Sequence, residues 1–373
     1  MEVVDKLKIL SEDSQYDLAC ACGTGKDDRR KRGEDGKWIY PVTLPNGGYS
    51  VLLKTLLSNV CTSDCKYCPL RSENSVRRCI LTPDEISRTF MEYYKARKVF
   101  GLFLSSGIID TPDYTMDKLI ASVSLIRKKY SFKGYIHLKV IPGASEASME
   151  EAMSLSNAVS LNIETPGRSY FNKLSQRKDF NRDIVRSLKH LSGLAKEKYP
   201  KVKLTTQFIV GASNEPDSEI LKYSFGLYER LNFNRIYFSA YQENPLQPSW
   251  SETFALDSPP PASSNKLVRE HRLYQSDFLI RKYGFKQEDF SYDTNGNLNL
   301  EKDPKEIWAE LNPDTFPVNI NSAPRELLLR VPGIGPEIAS RITKYRQIHK
   351  IKELVSLGVK GKSEFKIKKY VVL

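Results

Sequence analysis

The sequence predicts an α/β protein: a partial barrel of six βα units, an irregular N-terminal extension and a small all-α module at the C-terminus. Three observations carry this. After residue 50, short β-branched or aromatic runs alternate with longer helical patterns, which argues for a parallel sheet. Residues 244–265 break the alternation with Pro and Ser. Residues 318–347 read helix, tight hairpin, helix. A chain of 373 residues suits one large domain and one or two small ones. The expected boundaries are 1–50 for the extension, 51–243 for the barrel, 244–312 for a linker and helical connector, and 313–373 for the terminal module.

The expected strands are 51–57, 98–105, 134–141, 158–164, 203–210 and 235–241. Helical patterns fill 83–97, 115–130, 146–155, 179–198 and 216–232. The first opens on Thr82 as N-cap, with Pro83 at the first helical position. A further helix is expected over 265–283. Chemistry in such a sheet gathers at the C-terminal ends of the strands.

Composition narrows the class. With 40% hydrophobic and 27% charged residues, most of the chain should fold. No apolar run approaches the roughly 20 residues that span a bilayer, so no membrane partner is expected. The N-terminus lacks a signal-peptide core, and a cytoplasmic location is expected. In that setting six clustered cysteines point to metal or redox work rather than disulfides. The formal net charge is +12, and its placement is informative. Residues 318–373 hold twelve Lys/Arg against four Glu, an excess of eight positive charges. A solvated basic face is one reading, and a polyanionic partner is the other.

Cysteines 61, 65 and 68 stand in CTSDCKYCPL, just after the first strand of the barrel. A short loop can set Cys61, Cys65 and Cys68 at three corners of a [4Fe–4S] cube and leave one iron open for a small ligand. Tyr67 could shield the cluster with its ring. The alternative is a zinc loop with Cys79, Cys20 or Cys22 as fourth ligand, although CxxxCxxC is an unusual zinc spacing.

The spacing, the aromatic before the third cysteine and the position after the first strand of a βα array resemble the radical SAM superfamily. That resemblance implies a [4Fe–4S] cluster and S-adenosylmethionine, with an external electron donor. One electron cleaves the sulfonium, and the 5′-deoxyadenosyl radical takes a hydrogen from substrate. It also implies cofactor contacts at the strand ends. These fall on Ser105, Ser106 and Gly107 in LFLSSGIID, on Asn162 and Glu164 in LNIET, and on Gln207 and Gly211 in TTQFIVGAS. Lys173 and Arg177 are candidates to pair the methionine carboxylate, or are a solvated helix start.

The second motif is VNINSAPRELLLRVPGIGPEIASRITKYRQ, 318–347. Ser322 is a candidate N-cap, and Leu327, Leu328, Val331, Ile334, Ile338, Ala339 and Ile342 give the apolar face. Pro332-Gly333-Ile334-Gly335 joins the helices, and the stretch resembles a helix–hairpin–helix module. Glycines permit close backbone approach, and N–H groups at the second helix start suit a phosphate. Gly333, Ile334, Gly335, Arg341, Lys344 and Arg346 are the expected DNA contacts, made to the backbone without reading sequence. Protein docking is the alternative. Residues 354–370 repeat the apolar pattern without a clean GxG.

A three-cysteine core, REHRLYQSDFLIRKYGF at 269–285 and the terminal hairpin together resemble the DNA modification/repair radical SAM proteins. That family is genomically paired with a uracil-DNA-glycosylase-like protein, which the resemblance implies as a partner. The rival readings are an RNA-modifying radical SAM enzyme, and a DNA-binding protein with a structural iron–sulfur cluster.

Overall fold

The computed structural model describes residues 1–14, 38–43, 49–242 and 263–373. Cys20, Cys22 and nearly all of the Pro/Ser-rich stretch 244–265 lie outside the described residues. The chain divides into two units, Met1–Glu215 with Gly226–Leu267, and Pro216–Phe225 with Val268–Leu373.

The first unit is built on a seven-stranded sheet: β1 (Ile39–Thr43), β2 (Tyr49–Leu56), β3 (Gly101–Ser105), β4 (Tyr135–Lys139), β5 (Ala158–Ser160), β6 (Lys203–Val210) and β7 (Arg235–Ala240). Strand order follows chain order, with β1 antiparallel to β2 and every later pair parallel. The six parallel strands are those the alternation predicts, curled as a partial barrel. Helices alternate with them: α1 (Val3–Asp13), α2 (Pro83–Lys95), α3 (Pro112–Ser124), α4 (Glu146–Leu155), α5 (Arg168–Leu174), α6 (Arg186–Glu197) and α7 (Asp217–Glu229), of which Asp217–Phe225 belongs to the second unit. Strand β6 is buried from Leu204 to Val210, the polar Thr205, Thr206 and Gln207 included.

Local chemistry sets the helix starts. Thr82 accepts from the Glu85 N–H while the Glu85 carboxylate accepts from the Thr82 N–H, a reciprocal cap on α2. Two features depart from expectation. The N-terminus, expected to be irregular, forms α1, which buries Leu7 and Leu10 and pairs Lys6 with Glu85 at 2.8 Å. Strand β5 ends at Ser160 rather than 164, and Glu164 rejoins the sheet through a single parallel bridge to Phe208.

The second unit contains α8 (Ser263–Phe278), which begins just before it, then α9 (Pro304–Leu311), α10 (Arg325–Leu328), α11 (Pro336–Tyr345) and α12 (Lys362–Lys368). A π turn, Leu279–Tyr283, extends α8 to Gly284, whose φ is +70. Its core joins Val318, Ile320, Leu328, Val331, Ile334, Ile342 and their neighbours through Ile367 and Val371. The expected all-helical module also carries a short parallel ladder, β8 (Val318–Asn319) with β9 (Val371–Val372). Ser322 is not an N-cap: α10 starts at Arg325 with Pro324 at the cap and no side-chain cap bond. Among the described residues, no helix is long and apolar enough to cross a membrane.

Candidate functional site

Residues 59–72 leave the end of β2 as a loop held from several sides. Arg78 donates to the carbonyls of Asn59, Leu70, Arg71 and Asn74. The Asp64 carboxylate accepts from Ser175 Oγ at 2.5 Å and Gln176 N at 2.8 Å, and Lys66 N donates to Leu174 O at 2.9 Å. The end of α5 therefore braces the middle of the loop. Gly107 braces its start: a Cβ there would lie 2.5 Å from Val60 O and 3.1 Å from Cys61 Cβ.

The loop presents Cys61, Cys65 and Cys68 to a cavity of about 170 Å³. Every parallel strand contributes at or just beyond its C-terminal end: Leu56, Ser105, Lys139, Asn162 with Glu164, Ile209 and Ser239. Tyr67, Ser106, Gly107 and Lys178 line it as well. Cys65 is 6% exposed; its Sγ lies 3.0 Å from Lys178 Nζ and 3.2 Å from Ser63 Oγ. Ile108 N faces Cys61 Sγ at 3.5 Å. Burial, and then the Cys65 thiol, push the Cys68 thiol up to about 12. Burial and then Glu164 raise the Tyr67 phenol, whose ring packs on Leu174, Ile209, Ala212 and Tyr241. Glu164 is 6% exposed, accepts from Asn162 Nδ2 at 3.4 Å, and has a left-handed backbone with φ +66.

In the second unit, Val331 just before the turn Pro332–Gly335 and Ile334 within it are both buried. Gly333 has φ +92, and a Cβ there would lie 2.8 Å from Ile367 Cγ1. Gly335 has an ordinary φ of −99 and stands as N-cap of α11, with no side-chain cap bond. Residues 354–368 form a second, looser helical pair through Gly358 and Gly361, both at positive φ.

Residues 55–223 match the Radical SAM superfamily, and residues 315–363 match the helix-hairpin-helix motif. Residues 55–223 are a radical SAM domain. Among solved structures, the chain is similar to HydG, a maturase of the [FeFe]-hydrogenase, at 17% identity and a TM-score of 0.44, covering 59% of this chain and 49% of that one. It is similar to methylornithine synthase (PylB) at 16% identity and a TM-score of 0.45, covering 73% and 69%. HydG from Carboxydothermus hydrogenoformans gives 14% identity, a TM-score of 0.45, and coverage of 82% and 79%. The chain thus spans about half the length of the first of these. No curated protein matches the chain.

The Radical SAM superfamily, which residues 55–223 match, consists of enzymes that use a [4Fe–4S] cluster and S-adenosylmethionine. The residues present fit that pair. Three thiols share one enclosed wall, and cations and a carboxylate stand at the strand ends beside them. Among the described residues no three His, Cys, Asp or Glu converge on a single ion. A cube with each thiolate on a different iron does not require such convergence. Cys79, the expected alternative ligand, is buried 3.9 Å from Lys6 O and is not in the cavity lining.

The structure brings Tyr67, Ser105, Ser106, Gly107, Asn162 and Glu164 to the radical SAM pocket with the cysteines. It does not bring Lys173, Arg177, Gln207 or Gly211 into that lining. Lys173 Nζ donates to Ser213 O at 3.3 Å. Arg177 braces the cysteine loop through Thr62 O and Ser72 Oγ. Gln207 is buried, and its carbonyl accepts from Glu164 N at 3.0 Å. Gly211, at φ +82, donates to Glu215 Oε1 at 2.5 Å. Lys178 and Lys139 are the basic residues that do line the cavity, and sequence reasoning missed both. Lys178 is the next residue after Arg177, so a one-residue phase at a helix approach decided the matter. Lys139 ends β4 in phase with His137, where a polar residue in a buried strand was the available signal.

At the hairpin, Lys344 is exposed. Arg346 Nη1 instead donates to Ile320 O at 3.1 Å and Ala323 O at 2.6 Å, holding the entry to α10. Arg341 Nη1 donates to Leu357 O at 2.6 Å. Both arginines therefore have structural duties that a count of positive charge does not reveal.

Proposed function

We propose that the chain is a radical SAM enzyme acting on DNA, with the barrel carrying the chemistry and residues 313–373 contacting the duplex backbone. The observation that carries the DNA reading is the hairpin Pro332–Gly335, matched as part of a helix-hairpin-helix motif and set in a segment with eight excess positive charges. A helix start capped only by glycine leaves N–H groups and dipole available to an anion.

In the barrel, Cys61, Cys65 and Cys68 would hold the cluster. When bound, the cluster and S-adenosylmethionine supply a primary-carbon radical that removes hydrogen from substrate. The chain's own residues bind and enclose. Lys178 and Lys139 are placed to meet a carboxylate, Glu164 and Asn162 to accept and donate to amino or ribose groups, and Tyr67 to cover the thiol wall. Supply of an electron by an external donor and a uracil-DNA-glycosylase-like partner belong to the same proposal, on the resemblance alone.

The test is anaerobic reconstitution with iron, sulfide, S-adenosylmethionine and dithionite, followed by 5′-deoxyadenosine measurement with and without duplex DNA or tRNA. The proposal expects duplex DNA to increase the yield and to be altered covalently. Stimulation by tRNA alone would transfer the reading to RNA.

A further inference from the structure

Lys305 is the most deeply buried lysine of the second unit, at 6% exposed, and it lies outside the matched hairpin motif. It stands in the first turn of α9, where Asp303 caps the helix through Lys305 N at 2.8 Å. Its Nζ donates to Ile334 O at 2.6 Å and sits 4.5 Å from the centre of the Tyr283 ring. Among the described residues it forms no ion pair, whereas its neighbours do: Lys366 pairs with Glu306 at 2.5 Å, and Arg330 with Asp289 at 2.9 Å. Buried charges are ordinarily paired, because desolvation of an isolated ammonium costs several kcal/mol. Among the described residues Asp303 is the carboxylate that acts on Lys305, but it makes no ion pair with it, so a bound anion would complete the pairing.

The position of Ile334 says where that anion goes. Its carbonyl belongs to the peptide whose N–H is that of Gly335, the N-cap of α11. A cation on the oxygen side of a peptide polarises the N–H on the other side and strengthens it as a donor. Tyr283 closes the same face, since a Cβ on Gly335 would lie 3.2 Å from its hydroxyl.

We propose that Lys305 is a positioning residue for the hairpin, holding the Ile334–Gly335 peptide from behind and serving as the buried counter-charge of a phosphate seated in front. This rests on the DNA reading above. Lys305 is not itself a phosphate contact; it acts through the peptide.

Burial pulls the Lys305 ammonium down to about 7, with Asp303 opposing and Lys366 and Arg330 reinforcing the shift. Tyr283, the other titratable group against it, is pushed up by burial and so stays neutral in this range. A phosphate on the hairpin would restore the proton, so binding should take up protons above neutral pH.

The experiment uses the full chain, labelled with ¹⁵N-glycine, and a fluorescent mixed-sequence duplex, for wild type, Lys305→Met and Lys305→Arg. Expected results are a displaced Gly335 amide in free Lys305→Met and roughly tenfold weaker duplex binding, with Lys305→Arg recovering most of the affinity. Wild-type affinity should fall as pH rises from 7 to 9, by at most ~10-fold per unit, while Lys305→Met stays flat. If Lys305→Met does not fold, the wild-type pH profile decides alone. Wild-type binding with a flat profile, or a folded Lys305→Met that binds as wild type, overturns the role of Lys305 and leaves the DNA reading standing. Absence of wild-type duplex binding at low salt overturns the DNA reading itself.

Discussion

Glu164 holds a left-handed backbone although it is a buried glutamate at φ +66. Such a conformation costs an L-residue about 1–2 kcal/mol and persists where the surroundings enforce it, often at functional sites. Here Gln207 O accepts from its N–H and Ile209 N donates to its carbonyl, so the backbone is clamped while the side chain faces the cavity. We expect Glu164→Gly to hold or raise the unfolding temperature, and to weaken S-adenosylmethionine binding at least ~10-fold by loss of one charge-assisted bond. Calorimetry of the two quantities checks this; lower stability with unchanged binding would make Glu164 a structural residue. The cysteines carry a sharper expectation. Reconstituted protein should hold about four irons per chain, and Cys61→Ala, Cys65→Ala or Cys68→Ala should each remove nearly all of it. Cys79→Ala, 3.9 Å from Lys6 O on the side of α1, should keep its iron. Loss of all iron in Cys79→Ala would contradict the three-thiolate assignment.

At the scale of elements, the hairpin arginines and Lys305 have separable effects. Arg346→Ala removes a donor shared by two carbonyls and should destabilise the second unit by ~1–3 kcal/mol. Lys344→Ala, at an exposed site, should leave stability nearly unchanged and reduce the salt slope of duplex binding by about one phosphate's share, ~0.9. Urea unfolding and duplex titrations at several salt concentrations separate the two. Lys305 also sets a pH dependence of stability. Its folded pKa lies below the ordinary lysine value, so the unfolded chain binds the extra proton between about 7 and that value. Its contribution to stability therefore rises with pH across this window and is least favourable below it. Lys305→Met should be more stable than wild type at pH 6, with the difference shrinking toward pH 9; a constant difference would mean that Lys305 does not titrate there. The sequence disclosed the six parallel strands, because buried β-branched runs separated by capped helices leave few alternatives. It disclosed the cysteine loop and the glycine turn, because both depend on local spacing. It did not disclose α1, whose apolar residues are diluted by charge, nor the bonds of Arg177, Arg341 and Arg346. Those arginines meet carbonyls that are remote or in another turn of the chain, and a basic residue looks the same whether it faces solvent or a carbonyl.

For the whole molecule, charge and chemistry occupy different stretches of the chain: the cavity residues are Asp13 and others within 56–242, and most of the basic excess lies within 318–373. The second unit takes in the chain from Val268 onward, ahead of the hairpin, with a further segment at Pro216–Phe225. Arg330 shows why, lying 4.0 Å over Phe285 and 4.8 Å over Trp308 while its ion pair reaches Asp289. Cutting the chain after residue 312 would strip these aromatic rings of their partner, so point substitutions in the full chain are the cleaner probes of DNA contact. We infer that the three thiolates of the loop after β2 support radical chemistry directed at DNA. The most direct measurement is 5′-deoxyadenosine formed by the anaerobically reconstituted full chain, with duplex DNA present or absent. We expect a yield that duplex DNA increases, that Cys65→Ala abolishes, and that accompanies a covalent change in the DNA. Iron-replete protein that forms no 5′-deoxyadenosine under strong reductant, with or without DNA, would contradict it.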